Sequence, residues 1–297
     1  MTETRLQTLG DVADRLRCPN CAAPLERADR VLQCARGHAF DIARQGYVAL
    51  APPRRKLAPG DSPDMVAARE TFLATGHYRA IAEEIQAAVP ADLSPPPAGG
   101  APLAVDLGAG TGYYLAVLLG LRPGWRGVAL DASRPALRRA VRAHPRIAAI
   151  ACDVWQELPV QDASAELVLD VFAPRNAAEI ARILAPGGAL VVVTPAPSHL
   201  RELVEELGLL DVGADKQQRL HTALGPRLAP VRRHELELTM TLDHDELRAL
   251  VAMGPSAHHL DPQLLAERIA KLPRSVRVGA SVAIETFRAN PAAAPSA

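Results

Sequence analysis

The chain of 297 residues is predicted to form an α/β fold with a mostly parallel sheet, preceded by a small metal-binding domain. Short apolar runs alternate with helical patterns from Leu103 onward, which is typical of a parallel sheet with helices on both faces. A glycine-rich turn directly follows the first of those runs. Three cysteines and a histidine near the beginning of the chain have spacings that suit a metal ion.

Composition and charge limit the class of protein. Hydrophobic residues make up 48% of the chain, enough for a sizeable core, and the formal net charge is zero. Residues 1–60 nevertheless hold ten Lys or Arg against six Asp or Glu, a net charge of +4. The first 17 residues lack the apolar core of a signal peptide, and no run approaches the length of a membrane span. We therefore expect a cytoplasmic protein without a membrane partner, and a modest basic patch near its N-terminus.

The metal-binding pattern is Cys18-Pro-Asn-Cys21, followed twelve residues later by Cys34-Ala-Arg-Gly-His38. Three thiolates and an imidazole at these spacings can close a tetrahedron around zinc, whereas a disulfide is unfavourable in a reducing cytosol. Because protein fills all four positions, the pattern predicts a structural Zn²⁺; the alternative is a metal-free or redox-active segment. The remaining cysteine, Cys152, is expected to be a small buried residue in the sheet.

A linker and two helices are predicted between this segment and the sheet. Phe40 to Leu50 is expected to finish a small β-rich finger, and residues 51–63 are a proline-rich, basic linker. Ser62 suits the N-cap of a helix and Pro63 its first turn. A second helix is predicted from Arg79 to Val89.

The glycine-rich turn lies in the stretch VDLGAGTGYY. Asp106 ends the predicted strand, and the turn that follows contains Gly108, Gly110, Thr111 and Gly112. Glycine is needed where the backbone adopts positive φ or where a ligand approaches it closely. The spacing is G-x-G-x-G, which differs from the dinucleotide fingerprint G-x-G-x-x-G. It resembles the first motif of the class I S-adenosylmethionine (SAM) methyltransferases; the alternative is an ordinary strand-to-helix turn.

Two more acidic residues end the next two predicted strands. The strand Arg126 to Leu130 stops at Asp131, where related folds place a carboxylate that accepts from the ribose hydroxyls. The strand Ile147 to Ala151 is followed by Asp153, which can accept from an adenine amino group. Either residue alone is equally well explained as a helix N-cap. Together with Asp106 and the glycine turn, they favour a SAM site.

The predicted sheet continues to the end of the chain. Strands are predicted at Leu167–Phe172, at Ala189–Thr194 and within Val276–Phe287. Helices are predicted at Ala177–Leu184 and Asp243–Met253, and an alternating stretch runs from His234 to Leu242. In class I methyltransferases a tail of this kind commonly adds antiparallel strands to the sheet edge. The last residues, NPAAAPSA, are expected to be disordered.

The motifs in this order resemble one family, the ribosomal RNA (guanine-N1)-methyltransferases of large-subunit RNA, which include macrolide-resistance enzymes. The resemblance runs from about residue 15 to about residue 290 and rests on CPNC…CARGHAFDIARQGYV, PGDSPDMVAARETFLATGHY, VDLGAGTGYY, LDASRPALRRA, VFAPRN and LAPGGALVVVTPAPSHL. It implies a class I, Rossmann-like fold with an antiparallel C-terminal strand and a zinc ion held by Cys18, Cys21, Cys34 and His38. It further implies SAM contacts from Tyr78, Gly110, Thr111 and His199.

The resemblance also implies a domain organisation and partners. We expect a zinc-binding RNA-recognition domain over residues 1–55, a linker with helices over 56–100, a SAM-dependent methyltransferase domain over 101–290 and a tail over 291–297. The implied reaction is methylation of guanine N1 in a hairpin of 23S ribosomal RNA, with macrolide resistance and a homodimer as further expectations. The residues expected to contact RNA phosphates are Arg17, Arg36, Arg44 and the run Arg54–Lys56.

The chemistry directs attention to the loop after the fourth strand. Guanine N1 keeps its proton at neutral pH, so a base near N1 or donors to O6 would help the reaction. Asp170 is a candidate base, or else simply a polar residue at the strand end. Arg175 is a candidate for binding phosphate or O6. Phe172 either stacks on a flipped guanine or packs in the core. The Asn/Asp-Pro-Pro-aromatic sequence of amino-methyltransferases is absent from this loop, which argues against an exocyclic amine as target.

Two other functions remain open at the level of sequence. One is a small-molecule methyltransferase of natural-product metabolism that uses the finger as a substrate lid, which the zero net charge allows. The other is a non-catalytic zinc RNA-binding module with a relic SAM fold, and the intact Asp106, glycine turn and Asp131 count against it. Methyl transfer that depends on RNA distinguishes the first from the favoured function, and a SAM titration tests the second.

Overall fold

A computed structural model describes residues 3–52, 60–93, 100–209, 216–225, 227–254 and 261–289. The helices are α1 (Glu3–Gly10), α2 (Pro63–Ala74), α3 (Arg79–Ala88), α4 (Tyr113–Leu121), α5 (Arg134–Ala143), α6 (Ala177–Ile183), α7 (Arg201–Leu207), α8 (Lys216–Leu224), α9 (His244–Ala252) and α10 (Pro262–Ala270). The strands are β1 (Leu25–Ala28), β2 (Val31–Cys34), β3 (Ala39–Asp41), β4 (Tyr47–Ala49), β5 (Leu103–Leu107), β6 (Arg126–Asp131), β7 (Ile147–Ala151), β8 (Ala165–Val171), β9 (Leu184–Pro195), β10 (Leu228–Leu242) and β11 (Val276–Ala289). The predicted disordered tail and the basic run Arg54–Lys56 lie outside the described residues.

The larger sheet has the strand order β10-β11-β9-β8-β5-β6-β7-β4 among the described residues. Every neighbouring pair from β4 to β9 is parallel, and β11 and β10 are added antiparallel at one edge. The strand order reverses between β5 and β8, so their carboxyl ends open a crevice at which ligands of such sheets bind. The predicted fold class, including the antiparallel C-terminal strands, is confirmed. No helix in the described part of the chain is long and apolar enough to cross a membrane.

The small N-terminal sheet is joined to the large one. Strands β1, β2 and β3 form an antiparallel sheet of their own. The prediction that Phe40 to Leu50 completes this finger is only half right, because β4 pairs in parallel with β7 as the edge strand of the large sheet. Val48 is fully buried there. The pairing covers an otherwise open apolar edge, which sheets avoid leaving exposed. The domain boundary at residue 55 stays a prediction.

Strand β9 begins earlier than its sequence suggests. The sequence predicts a helix through Leu184 and a strand from Ala189, yet the strand already starts at Leu184. The register with β8 shifts between Ala165 and Leu167, leaving the Pro-Gly-Gly of β9 in an irregular bulge. A Cβ atom on Gly188 would lie 2.9 Å from the Ala185 carbonyl oxygen, so the bulge requires glycine at that position.

Helix α2 is capped as predicted and leads to the large sheet. The Ser62 hydroxyl accepts from the Met65 N–H at 3.2 Å, and Pro63 opens the helix. The helix packs against α5 and α9. Its C-terminal end is followed by Tyr78, at the start of α3. The linker helix thus brings side chains from outside the sheet to the crevice at the strand ends.

Candidate functional site

A cavity of about 1040 Å³ lies at the carboxyl ends of the parallel strands. Its walls come from the ends of β5, β6, β7, β8 and β9, from α2 and from α8 and α9. Pockets for a single small ligand typically measure roughly 300–1,000 Å³, so this one has room for a cofactor and a second group. Of the residues predicted to bind SAM, those that line it are Tyr78, Asp106, Gly108, Gly110, Thr111, Asp131, Asp153 and His199.

The three glycines of the turn have different structural roles. All have positive φ, at +62° for Gly108, +56° for Gly110 and +76° for Gly112. A Cβ atom on Gly108 would lie 2.8 Å from Cβ of Ala173, so glycine lets the turn approach the loop after β8. Gly112 faces Ala140 of α5 instead, and it is not among the residues that line the cavity. Its role here is packing at the start of α4, and a contact with SAM stays a prediction.

Asp131 ties the glycine turn to the next helix. One carboxylate oxygen accepts from the Gly110 N–H at 2.8 Å, and the other accepts from the Ser133 N–H at 2.7 Å. The pKa of Asp131 is raised, because the effect of burial exceeds that of these two hydrogen bonds, which lower it. The N-cap of α5 is Ser133, so the interpretation of Asp131 as the helix N-cap is wrong. The carboxylate borders the cavity and has lone pairs left for a ligand.

Asp106 is a buried carboxylate on the cavity wall. Its side chain is almost wholly shielded from solvent, and its Oδ2 atom has no hydrogen-bond partner among the described residues. Burial and the nearby charges of Asp170 and Asp131 raise the pKa of Asp106 well above its ordinary value. A buried acceptor of this kind costs free energy unless a ligand satisfies it. The site is therefore suited to a cationic group.

An aromatic group stands where the cavity meets the loop after β8. Tyr78 is buried, with its ring 5.1 Å from that of Phe72 in an edge-to-face arrangement. The ring of Phe172 lies 6.4 Å from that of Tyr78 and 6.1 Å from that of His199. Phe172 is 40% exposed and has φ of +55°, so the alternative that it packs in the core is wrong. A non-glycine residue in this conformation is strained, and such strain concentrates at binding sites.

Asp170 lies behind the cavity wall. Its side chain is fully buried, and one oxygen accepts from Nε of Arg175 at 3.1 Å. Arg175 lines the cavity, whereas Asp170 is not among the lining residues. The structure thus brings the arginine into the site and places the carboxylate where it can orient that arginine. A direct catalytic role for Asp170 stays an untested prediction.

Sequence reasoning missed a contact between the linker and the glycine turn. Arg69 of α2 forms an ion pair with Asp61 and donates to the Met253 carbonyl oxygen at 2.8 Å. A Cβ atom on Gly110 would lie 3.2 Å from the Arg69 guanidinium, so the arginine lies directly over the turn. Trp155, 60% exposed beside Asp153, also lines the cavity. The motif PGDSPDMVAARETF contains Arg69, but nothing local to it shows which surface the arginine meets.

The four predicted metal ligands converge. Their ligand atoms lie within 4.8 Å of one another, with Cys21 Sγ 3.6 Å from Cys34 Sγ and His38 Nδ1 3.4 Å from Cys34 Sγ. Tetrahedral zinc, with bonds of about 2.3 Å to sulfur and 2.0–2.1 Å to nitrogen, separates its ligands by roughly 3.5–3.8 Å. Burial raises the pKa of Cys34, but backbone N–H groups of His38 and Arg36 lower it to about 6. The residues therefore fit Zn²⁺. Cys152 is buried in the sheet region, as predicted.

The predicted phosphate contacts fall into three groups. Arg17 forms ion pairs with Glu157 at 2.8 Å and Asp162 at 2.9 Å, so it docks the ribbon on the methyltransferase fold. Arg36 and Arg44 are exposed and accessible. The run Arg54–Lys56 lies outside the described residues.

Two family profiles match the chain. The profile of a zinc ribbon described as "RlmA, N-terminal" matches residues 16–58, and one described as "Methyltransferase domain" matches residues 104–188. The "23S rRNA (guanine(748)-N(1))-methyltransferase" of Streptomyces fradiae is 48% identical over 281 residues, which cover 95% of this chain and 99% of the relative.

A second relative and a solved structure extend the comparison. The "Putative 23S rRNA (guanine-N(1)-)-methyltransferase" of Micromonospora griseorubida is 48% identical over 295 residues, covering 94% of this chain and 98% of the relative. In the solved complex of the Haloferax volcanii Trm112 methyltransferase activator with its methyltransferase partner, one chain matches with a TM-score of 0.51 and 19% identity. The match covers 78% of this chain and 99% of that chain, and it shows the fold alone.

Proposed function

Since the chain belongs to the family of 23S rRNA (guanine-N1)-methyltransferases, we propose that it transfers the methyl group of SAM to N1 of a guanine in a hairpin of 23S ribosomal RNA. The observation that carries this proposal is one cavity that holds both the glycine turn with Asp131 and the exposed ring of Phe172. The first suits the cofactor and the second suits a flipped base. The Streptomyces fradiae relative's name points to guanine 748 as the target. The proposed substrate places the enzyme in the cytoplasm.

The cofactor supplies an electrophilic methyl group, and the protein supplies binding, orientation and charge. Asp131 is assigned to the ribose hydroxyls and Asp153 to the adenine amino group. Asp106, the buried acceptor without a partner among the described residues, is assigned to the α-ammonium group. The turn residues Gly110 and Thr111 allow the close backbone approach. Tyr78 closes the side of the site next to α3.

The flipped guanine is placed against Phe172, because that ring is exposed at the cavity and aromatic rings stack on extruded bases. Arg175 lies on the same wall and can donate to guanine O6, where negative charge develops as N1 loses its proton. Asp170 then acts as a positioning residue, because it accepts from Nε and leaves the terminal amino groups of Arg175 for the substrate.

Arg69 is assigned to the cofactor's carboxylate. Its guanidinium has five N–H donors, lines the cavity and lies over Gly110, so it can reach the carboxylate of a cofactor held by the glycine turn. We expect Arg69→Met to weaken binding of S-adenosylhomocysteine by roughly 10–100-fold, the loss typical of a hydrogen bond to a charged group. Binding of 5′-methylthioadenosine, which lacks the carboxylate, should be unchanged by calorimetry. Arg79→Met, which removes an exposed arginine paired with Glu83, is the control. An equal loss for both ligands would show that Arg69 only ties α2 to α9.

The ribbon is assigned to RNA binding through phosphates, with few contacts that read sequence. Arg36 and Arg44 are exposed on it, and the basic run Arg54–Lys56 follows it along the chain. Charge reversal of all three residues of that run should weaken RNA binding and flatten its salt dependence, while S-adenosylhomocysteine binding is retained. Filter binding across a salt series measures both effects. Equal RNA affinity at every salt concentration would remove the run from the interface.

The function is tested by methyl transfer from labelled SAM to 23S rRNA from cells that lack the endogenous activity. An N1 methyl group blocks base pairing, so primer extension should stop next to the modified guanine, and we expect one such stop. No incorporation into RNA with intact SAM binding would favour a small-molecule substrate instead.

Macrolide resistance is tested by expressing the protein in a sensitive host. The homodimer that the family resemblance implies stays a prediction.

A further inference from the structure

We propose that Trp155 forms a second nucleotide subsite, in which a base next to the target guanine in the RNA chain stacks on the indole ring. This inference rests on the proposed function and deepens it, because it adds a site for another nucleotide of the same RNA. The ring of Phe172 is already assigned to the target guanine itself. The ligand of the new subsite is therefore a neighbouring, unpaired base of the hairpin loop.

The exposure of Trp155 is the first observation. Five large hydrophobic side chains are exposed in the described part of the chain, and Trp155, at 60%, is the most exposed of them. Of these five, only Trp155 and Phe172 line the cavity. The indole makes no ring contact and no hydrogen bond with the residues that the structure describes. An exposed indole forgoes the free energy of burying its apolar face, and a stacked base recovers part of it.

The backbone that carries the indole is fixed by hydrogen bonds. The Trp155 N–H donates to Oδ1 of Asp153 at 3.0 Å, and the Trp155 carbonyl oxygen accepts from Nδ2 of Asn176 at 3.1 Å. The same Nδ2 donates to the Gln156 carbonyl oxygen at 3.2 Å. Asn176 is itself held as the N-cap of α6, where its side chain accepts from the Glu179 N–H. A ring presented from a fixed segment loses less conformational entropy when a base stacks on it.

These bonds also place Trp155 beside the loop assigned to the target guanine. Asn176 directly follows Arg175 and ends the loop between β8 and α6, which begins with Phe172. The segment that contains Trp155 and this loop are therefore neighbours on the cavity wall. An RNA strand whose guanine is inserted at Phe172 is brought to the same part of the protein surface as the indole. The nucleotides nearest to that guanine are the ones next to it in the chain.

The adenine of the cofactor is not the expected occupant of the indole face. Asp153 is assigned to the adenine amino group, and Val154 also lines the cavity, with only 8% of its side chain exposed. Val154 is enclosed, as a wall of a cofactor pocket should be, whereas the indole is largely open to solvent. The indole therefore lies at the mouth of the cavity, where a polymer can approach it.

Stacking at this position has a defined role in base flipping. Extrusion of the target guanine breaks its stacking on the neighbouring bases, which costs free energy. A neighbour that has lost this partner regains one when it stacks on the indole. Such stacking tolerates any base, because every base has a π-face. The subsite is therefore expected to offset part of the cost of flipping and to contribute RNA affinity, with little preference for the identity of the stacked base.

The test uses the full-length zinc-bound protein and a 23S rRNA hairpin that contains the target guanine. Trp155→Leu removes the aromatic face, and Trp155→Phe keeps a smaller one. Trp125→Leu is the matched control, because Trp125 packs under the Arg122 guanidinium at 5.2 Å and does not line the cavity. Filter binding measures RNA affinity, single-turnover assays measure the transfer rate at saturating RNA, and calorimetry measures S-adenosylhomocysteine binding.

The same measurements are repeated with two hairpins that carry an abasic residue directly 5′ or directly 3′ of the target guanine. If the indole contacts one of these bases, the effects of removing the ring and of removing that base are not additive. This comparison also tests the subsite on the wild-type protein, without any substitution.

We expect Trp155→Leu to weaken binding of the intact hairpin by roughly 5–150-fold, the loss typical of one base–aromatic stack. Trp155→Phe should recover most of this affinity. S-adenosylhomocysteine binding and the transfer rate at saturating RNA should match those of the wild type. One of the two abasic hairpins should bind the wild type more weakly by a similar factor and should bind Trp155→Leu as the intact hairpin does. Trp125→Leu should behave as the wild type.

Three outcomes would overturn the inference. Equal affinity of the wild type and Trp155→Leu for the intact hairpin would exclude the subsite. Additive losses with both abasic hairpins would show that the indole contacts neither neighbouring base. A loss of S-adenosylhomocysteine affinity in Trp155→Leu and Trp155→Phe would assign the ring to the cofactor. Failure of the wild-type protein to methylate any RNA would instead overturn the proposed function, and this inference with it.

Discussion

Replacing Cys34 with serine is expected to abolish stoichiometric zinc binding and to destabilise the whole protein rather than the ribbon alone. Structural zinc in small finger domains contributes on the order of 10 kcal/mol to folding, so loss of one ligand is a large perturbation. Cys18, Cys34 and Leu32 of the ribbon belong to one continuous hydrophobic cluster with Leu107 and Ile150 of the large sheet. Unfolding of the ribbon therefore exposes part of the main core.

The measurement is zinc content by mass spectrometry together with a thermal unfolding scan. A single transition at lower temperature is expected for Cys34→Ser, and the same shift should follow treatment of the wild type with a strong chelator. Cys152→Ser is the control for zinc content, because this cysteine lies outside the metal cluster. Two separate transitions, with the second unchanged, would show that the ribbon folds independently of the sheet.

Replacing Asp106 with asparagine is expected to stabilise the ligand-free protein and to weaken cofactor binding. Burial, together with the charges of Asp170 and Asp131, raises the pKa of this carboxyl group well above its ordinary value. The folded state therefore binds a proton more tightly than the unfolded state. In the window between the unfolded pKa, about 3.9, and the raised folded pKa, stability increases as the pH falls. Above that window the charged carboxylate costs stability, and asparagine removes the cost.

At pH 7 a gain of about 1 kcal/mol would raise the melting temperature of a protein of this size by roughly 2–4 °C. The difference in melting temperature between Asp106→Asn and the wild type should become smaller as the pH is lowered. S-adenosylhomocysteine binding should weaken by roughly 10–100-fold, because a charged hydrogen bond to the ammonium group is lost. Asp41→Asn, at an exposed position on β3, is the control. A lower melting temperature with unchanged binding would contradict the assignment of Asp106 to the cofactor.

The most local features of the protein were the most predictable. The zinc ligands lie within a short stretch, so their spacing alone limits the geometry they can adopt. The glycine turn is a contiguous strand–turn–helix unit, and Ser62 caps α2 through a contact three residues away. In each case the interacting groups are close in sequence, so the short chain between them allows few alternative geometries.

Positions that depend on distant contacts were not predictable. Strand β4 joins β7, about a hundred residues later, although its sequence reads as part of the finger. Phe172 was equally consistent with stacking and with core packing until its exposure and left-handed conformation were seen. Asp170 and Arg175 are close in sequence, yet only the sheet shows that one is buried and the other faces the cavity.

The amino-acid order alone therefore determines the strand–helix alternation, the zinc ligand set and the acidic strand ends, because periodicity, ligand spacing and turn chemistry are local. Only tertiary structure decides that Arg69 lies over Gly110, that Gly112 faces α5, and that Nδ1 of His199 lies 2.9 Å from the backbone carbonyl oxygen of Ser281. The His199–Ser281 contact joins residues 82 positions apart in the chain. Its existence depends on how the antiparallel edge of the sheet folds back on β9, which no short stretch of sequence specifies.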